Sequence, residues 1–364
     1  MQEQLFANKL FDDGLELLKK LISTPSTSRN EAATADLLYE YLNLHNVKNI
    51  IRTNNNIWTK SAFFDDSKPT ILLNSHHDTV KPSPSYTLDP YTPQIIDGKL
   101  FGLGSNDAGG ALINLISCFL YFYNKPDLPY NFILVCSSEE EVSGQNGILS
   151  VVPLLPVCEF AIVGEPTSME ISVAENGLLV LDCTARGVTG HAARNTGVNA
   201  IYKAIEDINY LKNHQFLHGR SPWLGDVKCT VTGVNAGSLH NVVPDLCKFT
   251  VDIRFTELYT HQQIFDEILS GMPNKDTEVV PRAFQICPSH IDVNHPFVKL
   301  ASENGFKLFG SPTCSDRALL PFPSLKMGPG ESDRSHTADE FIFVDQIKDG
   351  LQKTLNLSEK FLLG

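Results

Sequence analysis

The amino-acid sequence predicts an α/β protein with a mainly parallel sheet, interrupted by a smaller inserted α+β domain. In the first part of the chain, short apolar segments typical of buried strands alternate with helical segments, which is the order of a parallel βαβ sheet. The middle of the chain has the order β-α-β-β-α-β, which is that of the ferredoxin-like split motif. A chain of 364 residues is long enough to form two such domains.

The first domain is predicted from its helices and strands in chain order. Helical periodicity marks Phe11–Ile22 and Glu31–Leu44, with Ser28 or Asn30 as the expected N-cap of the second helix. Residues 81–97 contain four prolines and predict a surface loop. The remaining predictions are strands near 49–53, 70–74, 132–136 and 160–163, and a helix over 108–123. Because the later strands are apolar throughout, we expect a sheet that is buried on both faces.

The inserted domain begins where this alternation stops. Residues 171–186 predict one long strand or two, followed by a helix over 199–211, strands at 228–234 and 248–255, a helix over 261–269 and a strand at 277–280. A strand at 324–327 and a helix over 344–361 return to the first domain. We therefore predict a discontinuous first domain of residues 1–175 and 284–364, with residues 176–283 inserted.

Polar residues follow several of the predicted strands of the first domain. His76 and Asp78 end one apolar strand, Glu140 and Glu141 follow the next, and Glu165 follows a third. In open α/β sheets, ligands bind at the carboxyl ends of the strands. Each residue alone is more often a capping or solvated side chain. Several of them at one sheet edge predict a functional site.

Asp107 and His336 complete a set of five side chains that commonly bind metal ions. We suppose that Asp107 bridges two ions, with His76 and Glu165 on one and Glu141 and His336 on the other. Imidazole and carboxylate groups suit zinc, cobalt or manganese. Three carboxylates around two dications leave a positive site, which can acidify water and polarise an amide oxygen. The sequence therefore predicts two divalent ions, with zinc first and cobalt or manganese as alternatives.

Two further carboxylates are expected to support this chemistry. Asp78 is two residues from His76 on an extended strand, so both side chains face the same way and Asp78 can accept the ring proton of His76. Glu140 is expected in an extended segment, facing away from Glu141. From there it can take a proton from the attacking water and pass it to a leaving amine.

In their order along the chain, these motifs resemble the dizinc aminoacylase and carboxypeptidase metallopeptidase family. Within it they are most similar to the acetylornithine deacetylase and succinyl-diaminopimelate desuccinylase branch. The matching segments are His76-His77-Asp78, Gly102–Gly110, Glu140-Glu141, Gly164–Thr167, Gly190–Ala193, Asn241–Asp245, Asp252–Arg254 and His336. They extend over nearly the whole chain in the family's order.

The resemblance implies roles for three residues of the inserted domain. His191 and Asn241 would help to hold the oxyanion, with His191 reaching across the interface of a homodimer built through this domain. Arg254 would bind the α-carboxylate of the substrate through its planar guanidinium. Without the resemblance, His191 is interpreted as a loop histidine and Arg254 as a salt-bridged strand arginine.

The resemblance also implies the reaction, which is hydrolysis of the amide bond of an N-acyl amino acid. N-acetylornithine or an N-acylcitrulline, in arginine biosynthesis, is the first expectation for this small-molecule substrate. N-succinyl-diaminopimelate, a dipeptide and the C-terminal residue of a peptide are the alternatives. A non-catalytic binding protein on the same scaffold is an alternative of another class, but it would have no need of Glu140 beside a full ligand set.

Composition excludes several other classes of protein. The formal net charge of −13 argues against nucleic acid and anionic membranes as partners, and no stretch is long and apolar enough to span a bilayer. The first residues lack the basic and apolar regions of a signal peptide, so we expect a cytoplasmic protein. The eight cysteines form no Cys-x-x-Cys pair and indicate reduced thiols. The sequence also lacks a Gly-x-Ser-x-Gly elbow and a Walker loop.

Overall fold

The computed structural model describes residues 2–194 and 196–364 of the chain. Its α-helices are α1 (Gln2–Ile22), α2 (Ala32–Leu44), α3 (Gly110–Tyr123), α4 (Ile148–Val151), α5 (Ala200–Asn213), α6 (His261–Gly271), α7 (Pro296–Glu303) and α8 (Val344–Leu363). Its strands are β1 (Ile51–Thr53), β2 (Asn56–Lys60), β3 (Thr70–His76), β4 (Gln94–Ile96), β5 (Lys99–Phe101), β6 (Asn131–Ser137), β7 (Phe160–Val163), β8 (Ile171–Glu175), β9 (Gly177–Arg186), β10 (Gly190–His191), β11 (Lys228–Ala236), β12 (Val242–Val243), β13 (Leu246–Phe255), β14 (Glu278–Pro281), β15 (Ser289–His290), β16 (Leu308–Ser311), β17 (Ser324–Lys326) and β18 (Phe341–Phe343).

The chain divides into two compact units. The first unit comprises Met1–Val173, His290–Phe309 and Ser315–Gly364, and the second comprises Ala174–Ser289 and Gly310–Cys314. The second unit continues beyond the predicted boundary at residue 283. The reason is that the Leu178 N–H donates to the Ile286 carbonyl oxygen at 3.0 Å, which keeps this later segment beside the start of β9.

The sheet of the first unit has a parallel centre. Its strand order is β1-β2-β6-β3-β7-β17-β8, with the short strands β15 and β16 on β8. Strands β6, β3, β7 and β17 run parallel to one another, whereas β2 joins β6 and β8 joins β17 in antiparallel pairs. The predicted mainly parallel α/β sheet is confirmed, with antiparallel strands added at its two edges.

Burial explains why these segments form strands and a central helix. All seven residues of β3 and all seven of β6 are buried, as the apolar runs predict for parallel strands covered on both faces. Every residue of α3 is buried as well, and α3 packs against α1 and α8. A helix that is apolar all round belongs in a core, and α3 has only 14 residues. Within the described ranges, no helix is both long and apolar enough to cross a membrane.

The second unit contains a four-stranded antiparallel sheet in the order β11-β13-β9-β14. With α5 between β9 and β11, and α6 between β13 and β14, this is the predicted β-α-β-β-α-β arrangement. Buried residues alternate along β9 and β13, and those facing inward pack with Ala204 of α5 and Ile264 of α6. The sheet is therefore covered by helices on one face, which is typical of the ferredoxin-like motif.

Several predicted elements differ from the structure. Helix α1 begins at Gln2 and not at Phe11, since Ala7 and Leu10 are buried and extend the helical spacing of the core-facing residues. Glu31, and not Ser28 or Asn30, occupies the N-cap position of α2, and its side chain makes no capping hydrogen bond. Ser28 instead donates its Oγ hydrogen to the Asp78 carboxylate at 2.7 Å. The short strand β2 and the helix α7 were not predicted.

We expect Phe160→Ala to destabilise the first unit by about 3–5 kcal/mol, because truncation of a fully buried aromatic ring leaves a cavity. Phe160 lies on β7, and its ring centroid is 5.2 Å from that of Phe297 and 5.9 Å from that of Phe361. Urea unfolding followed by circular dichroism would measure the change. Phe63→Ala is the matched control, because Phe63 is 58% exposed and its loss should change stability by no more than about 0.5 kcal/mol. Equal effects of the two substitutions would contradict this description of the core.

Candidate metal centre

Three neighbouring parallel strands bring the first candidate ligands together. Strand β3 lies between β6 and β7, and all three run in the same direction. His76 is the last residue of β3, Glu165 stands two residues after β7, and Glu140 and Glu141 follow β6 in a short 3-10 turn. Because the carboxyl ends of parallel strands meet at one edge, the side chains collect there, as in other open α/β sheets.

Asp107 lies in a tight irregular turn between β5 and α3. Gly104 precedes this turn with a φ of +77°, a backbone conformation that favours glycine. At Gly109 an added Cβ would lie 2.3 Å from the carbonyl oxygen of Gly104, so this position also excludes a side chain. The backbone N–H groups of Asn106 and Asp107 donate to the buried Glu340 carboxylate at 2.8 and 2.9 Å. The turn that presents Asp107 is therefore fixed by contacts from the C-terminal part of the chain.

His336 lies on a loop between β17 and β18, in the left-handed conformation with a φ of +60°. Its side chain is 55% exposed. Two residues before β18, the Asp339 carboxylate accepts the backbone N–H groups of Thr87 and Leu88 at 2.8 and 2.9 Å. The loop thus holds an exposed imidazole over the sheet edge without being part of the sheet.

The five candidate ligands form two groups that share Asp107. His76, Asp107 and Glu165 form one group, and Asp107, Glu141 and His336 form the other. Asp107 Oδ1 is 3.4 Å from His76 Nε2, and Asp107 Oδ2 is 3.6 Å from His336 Nε2. Each carboxylate oxygen of Asp107 therefore faces a different imidazole. This arrangement suits a carboxylate that bridges two cations.

Two buried atoms of these groups support a cation site. His76 Nε2 and Glu141 Oε1 are buried and have no hydrogen-bond partner among the described residues. A buried polar atom without a partner is costly unless another group, such as a metal ion, satisfies it. The donors are imidazole nitrogen and carboxylate oxygen, which are the ligands of zinc and related divalent ions. The residues present therefore fit a pair of such ions.

The pKa shifts within the cluster also favour a bound cation. Burial disfavours a charged His76 ring, yet the surrounding carboxylates of Glu140, Asp107, Asp78 and Glu165 raise the pKa of His76 well above its usual value. Burial raises the pKa of the Glu140 carboxyl; His76 opposes this shift, and the neighbouring carboxylates add to it. At the outer end, the hydrogen bond with Glu141 raises the pKa of His336 to about 9. The cluster therefore concentrates negative charge and favours bound positive charge.

Asp78 contacts His76 in a different way from the one predicted. His76 Nδ1 is 3.0 Å from the backbone carbonyl oxygen of Asp78 and 3.5 Å from its carboxylate, so the carbonyl is the nearer acceptor. The Asp78 carboxylate accepts the backbone N–H groups of Glu140 and Glu141 at 3.1 and 3.3 Å. Asp78 therefore connects the end of β3 to the turn after β6, in addition to lying beside the imidazole.

The expectation that Glu140 lies in an extended segment is wrong. Glu139 has a φ of +56° and Ser143 a φ of +45°, so the chain turns sharply at both sides of Glu140–Val142. Glu140 nevertheless reaches the centre, because its Oε2 is 3.9 Å from His76 Nε2. Since the 3-10 turn replaces a strand, Glu140 and Glu141 both approach the cluster and do not point to opposite sides.

The three remaining candidate residues belong to the second unit. His191 and Asn241 are both exposed and lie near each other, since His191 of β10 pairs with Val242 and the Ala192 N–H donates to the Asn241 carbonyl oxygen at 3.0 Å. Arg254 lies on β13, where its guanidinium donates to the Asp252 carboxylate at 2.8 and 3.1 Å. The salt-bridged strand arginine of the simpler interpretation is therefore present.

Some residues around the centre were not predicted. Ser137, at the end of β6, donates its Oγ hydrogen to the buried Asp316 carboxylate at 2.5 Å, and burial raises the pKa of Asp316 to about 6. His77 lies 2.9 Å from Thr34 Oγ1 through Nδ1, and burial lowers its pKa to about 4. Glu340 stands four residues after His336. The sequence could have indicated Glu340 through its proximity to His336, but it contains no pattern that predicts the contact of Glu340 with the Asp107 turn.

Two known proteins are similar to this chain over most of its length. An acetylornithine deacetylase of Buchnera aphidicola subsp. Schizaphis graminum is 27% identical over 368 residues, which cover 92% of this chain and 94% of that protein. A succinyl-diaminopimelate desuccinylase of Buchnera aphidicola subsp. Acyrthosiphon pisum is 28% identical over 278 residues, or 72% of this chain and 73% of that protein.

A solved structure and a family model extend the comparison. The YXEP protein of Bacillus subtilis, described as a dinuclear metal-binding peptidase from the M20 family, has a TM-score of 0.74 at 16% identity and 99% coverage of both chains. At that identity the likeness shows the fold. The model described as Peptidase family M20/M25/M40 matches residues 72–360, which include the candidate ligands from His76 to His336. The chain therefore belongs to the peptidase family M20/M25/M40 and is a metal-dependent amidohydrolase of that family.

Proposed function

We propose that this enzyme hydrolyses the amide bond of an N-acyl amino acid, with N-acetylornithine or an N-acylcitrulline as the first candidate. The single observation that carries the proposal is the shared carboxylate of Asp107, which faces His76 through one oxygen and His336 through the other. Two cations held side by side suit the hydrolysis of an amide, because they can act together on water and on a carbonyl oxygen.

The proposed ligands of one ion are His76, Asp107 and Glu165, and those of the other are Asp107, Glu141 and His336. When bound, the ions would polarise the amide carbonyl and make water more acidic. Zinc is the first candidate and cobalt and manganese are the alternatives, since all three accept imidazole and carboxylate ligands. Glu140 lies beside this proposed ligand set, since its Oε2 is 3.9 Å from His76 Nε2.

Glu140 is the proposed general base and acid. Its carboxylate lies beside His76, and burial together with neighbouring carboxylates raises its pKa. A carboxyl group in this position can accept a proton in one step and return it in the next. Glu140 would take a proton from water as the water oxygen bonds to the acyl carbon. It would then pass that proton to the amide nitrogen as the C–N bond breaks, which yields a carboxylic acid and a free amine.

The choice of substrate rests on the relatives. The acetylornithine deacetylase relative aligns over 92% of this chain, whereas the succinyl-diaminopimelate desuccinylase aligns over 72%. Both named substrates are acylated amino acids with a free α-carboxylate. We therefore place N-acetylornithine first, in arginine biosynthesis, and keep N-succinyl-diaminopimelate as the alternative, followed by dipeptides and the C-terminal residues of peptides.

Arg254 is the proposed partner of the substrate α-carboxylate. A guanidinium binds a carboxylate through two parallel hydrogen bonds, and Arg254 already binds the Asp252 carboxylate of its own strand in this way. A substrate carboxylate would therefore share or replace Asp252. His191 and Asn241, which lie together at the β10–β12 pair, are the proposed oxyanion donors.

We further propose that the working unit is a cytoplasmic homodimer formed through the second unit. Strand β11 is at an edge of its sheet and exposes Val234 at 58%. On α5, Tyr202 is 68% exposed and Ile205 is 47% exposed. An edge strand beside exposed apolar side chains is a surface that a second copy can cover by continuing the sheet. The exposed His191 would then serve the partner's centre.

A substrate panel tests the proposed reaction. We expect the zinc- or cobalt-loaded enzyme to have its highest kcat/KM on N-acetylornithine or N-acetylcitrulline, and a lower value on N-succinyl-diaminopimelate and on dipeptides. Release of the free amine would be measured for each compound at the same metal content. Highest activity on N-succinyl-diaminopimelate would favour the alternative substrate, and activity on dipeptides alone would exclude an N-acyl amino-acid deacylase.

We expect Glu140→Ala to retain both metal ions while kcat falls by about 10²–10⁴-fold, because the proton transfer loses its base. Metal content by mass spectrometry and steady-state kinetics on the best substrate would be measured together. Glu16→Ala is the control, since the Glu16 side chain is 65% exposed on α1. A near-normal rate, or a loss of rate that simply follows loss of metal, would refute this role of Glu140.

We expect activity to return in part when His191→Ala and Glu140→Ala proteins exchange subunits. If His191 acts on the partner's centre, one centre of the mixed dimer carries both defects and the other carries neither. His191→Ala alone should lower kcat by about 10²–10³-fold with a smaller effect on KM. Two different affinity tags would verify exchange, and each variant mixed with itself is the control. Verified exchange without recovery would mean that His191 does not act across the interface.

A further inference from the structure

Glu340 is a buried carboxylate whose two oxygens both face the turn that carries Asp107. The residue is 2% exposed. Glu340 Oε1 accepts the N–H groups of Asn106 and Asp107 at 2.8 and 2.9 Å, and Oε2 accepts the N–H of Gly104 at 3.1 Å. Its backbone carbonyl oxygen accepts the N–H of Gly102 at 3.0 Å. One residue thus supplies the acceptors for four N–H groups of a six-residue turn.

A second connection joins the same turn to the beginning of the His336 loop. Asn106 is fully buried, and its side chain donates to the Glu331 carbonyl oxygen at 3.0 Å and accepts the Glu331 N–H at 2.9 Å. Residues 331–340, which include His336, are therefore attached to the Asp107 turn at both ends. Between these two attachments lies the exposed His336 itself.

The two proposed ion sites depend on these attachments to different degrees. His76 is part of β3, and Glu165 closely follows β7, so the sheet itself fixes both ligands. His336 belongs to no strand or helix, and its loop contacts the Asp107 turn at both ends. The site formed by Asp107, Glu141 and His336 therefore has two ligands that depend on Glu340, whereas the other site has one.

We propose that Glu340 is a positioning residue that sets the separation of Asp107 and His336, and thereby the affinity of the ion bound by Asp107, Glu141 and His336. The inference rests on the ligand set proposed above. Among the described residues, the hydrogen bonds of the Glu340 carboxylate go to the backbone N–H groups of Gly104, Asn106 and Asp107, so it acts on the position of the Asp107 turn. Outer contacts of this kind commonly change metal affinity by about 10–100-fold when removed.

Glu340→Gln is the informative substitution because it keeps the size of the side chain. In the glutamine, an NH₂ group replaces one of the two carboxylate oxygens. This NH₂ donor would then face either the N–H of Gly104 or the N–H groups of Asn106 and Asp107, and the hydrogen bonds there would be lost. A purely structural role of Glu340 predicts lower stability with both ion affinities changed alike. A positioning role predicts a selective loss at the site that contains His336.

The test is a titration of apo-protein with Co²⁺, followed by visible absorption and by calorimetry. His336→Ala identifies the binding step of the Asp107–Glu141–His336 site, since that step should be lost. Asp207→Asn is the matched control, because Asp207 is an equally buried carboxylate of the second unit that accepts the Asn274 N–H at 3.1 Å and the Thr277 hydroxyl at 2.6 Å. Thermal unfolding of each apo-variant separates stability from binding.

We expect Glu340→Gln to weaken that step by about 10–100-fold and to alter its cobalt spectrum, with a smaller change in the other step and none in Asp207→Asn. The proposal is overturned if folded Glu340→Gln binds both ions with wild-type affinity, or if it loses affinity equally in both binding steps. If Glu340→Gln does not fold, Asn106→Ala should produce the same selective loss, and wild-type binding by it would overturn the proposal. Failure of wild type to bind two ions, or retention of both steps by His336→Ala, would refute the ligand set itself.

Discussion

Asp107 lies between two sets of candidate ligands and turns one carboxylate oxygen towards each. Its oxygens are 3.4 Å from His76 Nε2 and 3.6 Å from His336 Nε2, so a displacement of this one residue would disturb both sets. The rest of the first unit can be understood from this requirement. The parallel sheet supplies fixed strand ends on one side, and the turn over residues 104–109 presents the shared carboxylate opposite them. The buried Glu340 carboxylate then holds that turn in place.

The negative charge of the cluster follows from gathering several carboxylates around Asp107. Carboxylates gathered at a partly buried edge repel one another and are costly to desolvate, so they require compensating positive charge. The raised pKa values of His76 and Glu140 are the consequences of this crowding within the protein. A pair of divalent cations would supply the missing charge, and the orphaned nitrogen of His76 and oxygen of Glu141 would be satisfied at the same time. The same two cations would therefore neutralise the carboxylates and complete the contacts of these two atoms.

Much of this molecule could be predicted from local patterns. The apolar runs that became β3, β6 and β7 identified the parallel centre of the sheet, because strands covered on both faces must be apolar throughout. The spacing of helices and strands after residue 176 identified the ferredoxin-like order. Patterns failed where local signals are weak. The five-residue strand β2 is defined mainly by its pairing with β6, and the turn at Glu140 depends on left-handed residues at both of its ends.

By itself, the sequence determined the fold class, the family and the residue types of the centre, because each depends on order and spacing along the chain. It could not determine how loops far apart in the chain meet, since such contacts leave no periodic pattern. Only the tertiary structure decided that Asp107 is shared through separate oxygens and that Asp78 faces His76 mainly through its carbonyl group. The tertiary structure likewise revealed that Glu340 reaches back some 230 residues along the chain to hold the turn at Asp107. These are properties of packing, because backbone groups with no distinctive residue type make the decisive hydrogen bonds.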